Sequence, residues 1–347
     1  RKNMKNIIKT VIVMLTSISL FTSANAGELS VTGTAKASYN IVSGDVNIGK
    51  GLGVANEFDL GASGELDNGW TWNYQVQMDP AATTTPNDDS KLTITSPFGT
   101  VGIFMSEGGL DVEDSASQGV YARATDTGDP SATVDNYDID GTNNIQYHTP
   151  AGLFPYGIAI KGAYSPNANQ TMAGANGTGT GDTQTLNSAT SMGLQIKAAP
   201  MDGLAIGASA VKADGGSTSA SPSQVAQSVA AFGTYAIGSV TLGYSYGHNQ
   251  PAITTQATTS AESYEQQNGS IGFAVNDNLS VSFEQEVSEV SYIASTTAKV
   301  KQKSSAIQAA YTMGGMTMAV SQGAYDNVGY VDSKNASQTL FAVTMAF

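Results

Sequence analysis

Apolar and polar residues alternate along most of this chain with a period of two. In the stretch WTWNYQVQM, Trp70, Trp72, Tyr74, Val76 and Met78 occupy the even positions and Thr71, Asn73, Gln75 and Gln77 the odd ones. Such alternation makes a β-strand with one apolar and one polar face. The stretch ELSVTGTAKASYNI places Leu29, Val31, Ala35, Tyr39 and Ile41 on one face and Ser30, Thr32, Thr34, Lys36, Ser38 and Asn40 on the other. GSVTLGYSYG, NLSVSFEQE, GGMTMAVSQ and the terminal QTLFAVTMAF repeat the pattern. Sixteen segments carry it, near 28–42, 54–65, 70–79, 90–96, 99–106, 143–149, 156–165, 188–198, 203–213, 226–236, 239–248, 263–275, 278–291, 300–312, 315–325 and 337–347.

The connections between these segments alternate in length. Short ones, such as LDNG at 66–69, SPFG at 96–99 and MGG at 313–315, carry the Asn-Gly and Gly-Gly chemistry of tight hairpins. Long ones, rich in Gly, Ser, Thr, Asn and Asp, fall between them, the longest at 107–142. A meander with unlike ends and strands of about ten residues predicts an all-β fold, a sixteen-stranded antiparallel transmembrane β-barrel. A soluble sandwich of this length would divide into domains with linkers, and its loops would match at both ends. Sixteen strands leave room for an aqueous lumen. A closed barrel also leaves no strand edge unpaired.

Composition narrows the compartment. KNIIKTVIVMLTSISLFTSANA joins Lys5 and Lys9 to an apolar run from Val11 to Phe21 and an Ala24-Asn25-Ala26 cleavage pattern. That predicts a secretory signal peptide over 1–26, with residues 1–3 upstream of Met4, and a single barrel domain over 27–347. There is no cysteine, hence no disulfide framework. Four of the 15 Lys+Arg (Arg1, Lys2, Lys5 and Lys9) precede residue 27, leaving 11 bases against 29 acids, a formal net of −18. So acidic a chain repels nucleic acid and attracts cations.

By alternation, Lys36, Lys91, Lys161 and Lys197 point into the lumen, as do the acids Glu57, Asp59, Glu65, Glu284 and Glu286. Trp70, Trp72 and Phe347 fall at the short-turn end, where membrane-interface aromatics belong. The 107–142 loop carries Glu107, Asp111, Glu113, Asp114, Asp126, Asp129, Asp135, Asp138 and Asp140 against one base, Arg123. A loop this long in a compact domain is functional or disordered.

Several motifs resemble those of general bacterial porins. LDNGWTW resembles their Leu-x-Asn-Gly turn, Phe98-Gly99-Thr100-Val101 their Phe-Gly-Thr-Val hairpin, and NNIQYHTPAGLFPYGIAIKGAYSP the strand pair after their constriction loop. The terminal Phe347 matches as well. The resemblance implies a homotrimer in the outer membrane, passing small hydrophilic solutes and contacting outer-membrane lipid. It implies that the 107–142 loop folds inward as a constriction, with Glu107, Asp111, Glu113 and Asp114 as its acidic lining. It also implies that Phe347 is read by the outer-membrane assembly machinery. Many such porins set an arginine cluster against the loop; here Lys36, Lys91 and Lys161 form a thinner opposing basic wall. A loop of carboxylates concentrates cations, so cation preference is expected.

Other chemistry is poorly supplied. His148 and His248 are the two histidines, and no spaced nucleophile or metal motif surrounds either, so no enzymatic activity and no cofactor are expected. Gly-rich 174–182 lacks the Gly-Lys-Ser/Thr ending of a phosphate loop. Asp138-Ile139-Asp140-Gly141 resembles part of a calcium loop without the bidentate Glu, which makes structural Ca2+ a minor expectation. A channel specific for a cationic solute and a non-conducting structural or adhesive barrel are the alternatives.

Overall fold

The computed structural model describes residues 27–46, 49–78, 89–126, 136–166, 171–172, 184–185, 190–214, 224–253, 256–294 and 296–347. The signal peptide expected over 1–26 and the Gly-rich stretch at 174–182 lie outside the described residues, as do Asp129 and Asp135. Sixteen strands close into one antiparallel barrel. They are β1 (Glu28–Gly44), β2 (Gly49–Glu65), β3 (Thr71–Met78), β4 (Ser90–Ser96), β5 (Gly99–Met105), β6 (Asn144–His148), β7 (Ala159–Ser165), β8 (Thr190–Met201), β9 (Leu204–Asp214), β10 (Gln227–Ile237), β11 (Val240–Gln250), β12 (Ala261–Ala274), β13 (Leu279–Tyr292), β14 (Lys301–Met313), β15 (Met316–Asp326) and β16 (Ala336–Ala346). Each pairs with its neighbours in sequence, and β16 returns to β1 with Tyr39 opposite Phe341 and Ala35 opposite Met345.

Burial is inverted relative to a water-soluble protein. Ile307, Met345, Phe341, Leu242 and Tyr244 stand exposed on the outside, whereas Gln302, Ser304, Gln308, Ser288 and Glu286 are fully enclosed inside. An exposed apolar band of this extent is stable in lipid and not in water. The period-two pattern dictates the result, because successive side chains must leave opposite faces of a strand.

The last residue completes the ladder. Phe347 and Gly33 exchange two backbone hydrogen bonds, each of 3.0 Å. The Phe347 ring packs at 5.6 Å from that of Phe58. A Cβ on Gly33 would fall 2.9 Å from the Phe347 ring, so only glycine admits this closure. Trp70 sits at the 66–70 turn, where its amide donates to Asn68 Oδ1, and Trp72 follows on β3 at the same end of the barrel.

The largest boundary difference from the sequence falls between β1 and β2. The connection expected over 43–53 is mostly strand, since β1 runs to Gly44 and β2 begins at Gly49. Lys50, Leu52 and Val54 alternate there with Gly49, Gly51 and Gly53. Glycine carries no side-chain polarity, so the alternation is invisible to a hydropathy pattern.

Candidate functional site

The described residues of the loop, 107–126 and 136–142, are stitched along the inner wall over eight consecutive strands. Gln195 of β8 donates to the Leu110 carbonyl at 2.8 Å and Ser209 of β9 to Asp111 at 3.3 Å. Ser228 of β10 donates to the Tyr137 carbonyl, and the Tyr137 amide donates to Asn249 of β11 at 3.2 Å. Ser270 of β12 donates to the Ala116 carbonyl at 2.6 Å. Ser117 donates to Glu284 of β13 at 2.8 Å, and the Tyr121 amide donates to Gln308 of β14 at 2.9 Å. Tyr325 of β15 reaches the Ala124 carbonyl at 3.5 Å. On β11 the approach is so close that a Cβ on Gly243 would overlap the Ala116 carbonyl, and one on Gly247 would lie 2.9 Å from Asn136.

Local chemistry shapes the loop. Asp111 caps its own turn, accepting from the Val112 amide at 2.6 Å and the Glu113 amide at 3.2 Å, which starts the short 3-10 turn Glu113–Ala116. Asp138 ties the two arms together by accepting from the amides of Leu110 at 2.7 Å and Asp111 at 2.8 Å. Leu110, Tyr137 and Ile139 then pack with Val211 and Ala213 in a small apolar cluster against the wall. At the far end the buried Arg123 guanidinium holds three carboxylates: Glu286 at 2.7 Å, Glu113 at 3.3 Å, and Asp114.

This anchoring divides the acids expected to line the pore. Glu107 reaches the lumen and pairs with Lys91, and the Asp114 side chain is 64% exposed. Asp111 is largely enclosed and Glu113 is 2% exposed, so neither lines an open path as expected; their carboxylates are consumed in holding the loop. The same correction applies to Glu284 and Glu286, which face inward as expected but are covered by the loop and bind Ser117 and Arg123. Glu57 and Asp59 remain on the opposite arc, opposite Thr34 and Thr32 of β1, with Gln75 donating to Asp59 at 2.8 Å. Burial, opposed by Arg123, pushes the Glu113 carboxyl up to about 9. Burial and then Asp140 push Asp138 up to about 7. Asp111 and Asp140 are raised by burial as well.

Three of the four inward lysines, Lys36, Lys91 and Lys197, touch the loop itself rather than face it from an opposing wall. Lys36 lies over the Tyr121 ring at 5.5 Å, and Lys197 donates to Ser115 at 3.1 Å while lying over Phe232 at 5.6 Å. Lys161 is opposite His148 on β6 and Gln195 on β8. A cavity of about 460 Å³ in the loop is lined by Asp111, Glu113, Asp114, Asn136, Asp138 and Asp140. Among the described residues no group of three or more His, Cys, Asp or Glu is arranged to hold a metal ion.

A second inward fold escaped the sequence reading. In the 327–335 connection the Gly329 amide donates to Gln302 at 2.7 Å, and the Tyr330 hydroxyl bonds that of Ser288 at 2.7 Å. Val328 packs with Val46, Tyr325 and Ala336. Val328, Tyr330 and Val331 in a short polar connection were the signal available in the sequence.

A family model described as Gram-negative porin matches residues 11–346. Comparison with curated protein sequences returns no match. Solved structures share the fold. OmpT of Vibrio cholerae with its loop L8 deleted aligns with TM-score 0.68 at 13% identity, covering 93% of this chain and all of that one. OmpF of Salmonella typhi in complex with daunomycin aligns with TM-score 0.66 at 12% identity, over 93% and 98% of the two chains. An anion-selective porin from Comamonas acidovorans aligns with TM-score 0.64 at 11% identity, over 92% and 100%.

Proposed function

The chain belongs to the Gram-negative porin family and forms an outer-membrane channel, and from that premise we propose that it passes small hydrophilic solutes and ions by passive diffusion with cations favoured. The observation that supports the reading is the acidic 107–142 loop, in which the Glu107 and Asp114 side chains stay partly exposed although each pairs with a base, Lys91 and Arg123. Carboxylates in a wet lumen raise the local cation concentration without binding cations tightly. The channel works as a homotrimer embedded in outer-membrane lipid, exported by the segment over 1–26 and inserted through an assembly signal that includes Phe347. It needs no cofactor and no catalytic residue. The test is the reversal potential of the purified protein in a planar bilayer across a KCl gradient. A potential of the sign set by K+ supports the reading, and one set by Cl− overturns it. The acid-lined cavity favours a second reading, a channel specific for a cationic solute. Saturable block of the K+ current by a diamine would distinguish it from general diffusion.

A further inference from the structure

The lumen lysines are not equivalent. Lys91 has a carboxylate partner in Glu107, and Lys36 lies over the Tyr121 ring as Lys197 lies over that of Phe232. Among the described residues Lys36, Lys161 and Lys197 form no ion pair, and of these Lys161 and Lys197 are neighbours. Among the described residues the Lys161 ammonium group has neither an ion pair nor a hydrogen bond, and Lys197 donates to a neutral hydroxyl. The two sit on adjacent strands, β7 and β8. Lys161 is opposite Gln195 and Lys197 opposite Ala159, which makes them diagonal neighbours on one inward face. Diagonal positions in an antiparallel pair lie about 7–8 Å apart, within reach for two four-carbon stems to bring their heads to one point. Like charges at such spacing repel. Asp138 is the facing carboxylate within electrostatic reach of Lys161, but its oxygens already accept from the amides of Leu110, Asp111 and Ile139. His148, opposite Lys161, spends its Nε2 on Gln146 at 2.8 Å.

We propose that Lys161, Lys197 and the Ser115 hydroxyl form a cradle for a small dianionic oxyanion, of the class of hydrogen phosphate, inside a pore whose bulk preference is for cations. Ser115 accepts from Lys197, which leaves its own proton to donate. Two ammonium groups and one hydroxyl then supply charge-assisted donors to separate oxygens of one tetrahedral anion, each at about 2.7–2.9 Å. A monoanion with a single carboxylate satisfies one lysine and leaves the other unpaired. The cations come from the β7–β8 wall and the hydroxyl from the loop residue next to Asp114, and the cradle does not depend on which ion the pore prefers overall.

The test is a bilayer recording of the full protein in 0.1 M KCl at pH 8, with potassium phosphate added at constant ionic strength. The wild-type K+ current should fall saturably at millimolar phosphate, and acetate should leave it unchanged. K161Q/K197Q should raise the half-effect concentration at least tenfold. K299Q, which removes a charge at the outer rim, should leave it alone. Equal block of wild type and double variant, or no block of wild type, overturns the proposal. The same question is put without current by the 31P line width of phosphate over the detergent-folded barrel. Broadening by wild type and K299Q but not by K161Q/K197Q supports the cradle, and equal widths overturn it. A gel shift on heating verifies that each variant folds. A Cl−-set reversal potential in phosphate-free KCl would remove the cation reading and leave the phosphate result standing.

Discussion

Arg123 is the one arginine in residues 27–347, and it is buried among Glu286, Glu113 and Asp114. Removing one partner of a buried ion pair strands the other, at about 3–5 kcal/mol. R123A should therefore destabilise the folded barrel by about that amount, and R123A/E286Q should recover a large part of it, measured by urea unfolding in liposomes. A double variant no better than R123A would mean that Arg123 acts by packing and not by charge. Asp138 supplies the pH dependence at this scale. Its folded pKa is raised by burial to about 7, so the stability it contributes is full below its unfolded value and is lost as pH rises through about 7. Its negative charge appears over the same interval. Cation preference should consequently increase from pH 6 to pH 8 while unfolding becomes easier. D138N should flatten both trends, and a wild-type reversal potential that does not move over this range would contradict the assignment.

At the scale of elements, the strands were legible because one rule of geometry governs them all. A side chain that must meet lipid and one that must meet water cannot exchange places, and Trp72, Tyr74 and Val76 announce the rule to any reader of the sequence. The path of the 107–142 loop was not legible in the same way. Its acids are alike in sequence, yet Glu113 is sealed against β11 while Asp114, the next residue, faces the lumen. That outcome depends on Gly243 and Gly247, more than a hundred residues downstream, whose missing side chains make room for the loop. Glycine at inward positions of a wall strand was the signal available, and it gains meaning only once the strand is known to face a loop. The prediction at this scale concerns the seam between β1 and β16. Deleting Phe347 removes both backbone bonds to Gly33 and the ring contact with Phe58, whereas F347A keeps the bonds and loses only the contact. An aromatic pair contributes about 0.5–1.5 kcal/mol, so F347A should fold with a modest loss and the deletion should close much more slowly. Refolding rates into liposomes, followed by the gel shift on heating, check the order; equal rates would mean that the terminal rung is dispensable.

For the whole molecule the deciding quantity is where so few cations are spent. Lys36, Lys91, Lys161 and Lys197 face the lumen, and Arg123 is locked into the loop anchor. Lys299 and Lys301 share Glu289 at the outer rim, and Lys212 pairs with Asp214. Over residues 27–347 acids outnumber bases 29 to 11, and the exposed ones act through water. A field of this origin is screened over about 10 Å at 0.1 M salt and about 3 Å at 1 M. The cation preference should therefore be strong in dilute KCl and shrink toward the ratio of free-solution mobilities in concentrated KCl. Replacing Glu107 and Asp114 together by their amides should weaken the preference at low salt and leave the high-salt value almost unchanged. The same replacement of Glu113 should do little to selectivity, because it is enclosed and burial pushes its carboxyl up to about 9, leaving it largely uncharged near neutral pH. Reversal potentials at a fixed tenfold gradient, from 10 mM up to 1 M on the dilute side, read all three outcomes. A preference independent of salt would show that selectivity comes from direct ion coordination, and would move the selective element away from the loop's exposed acids.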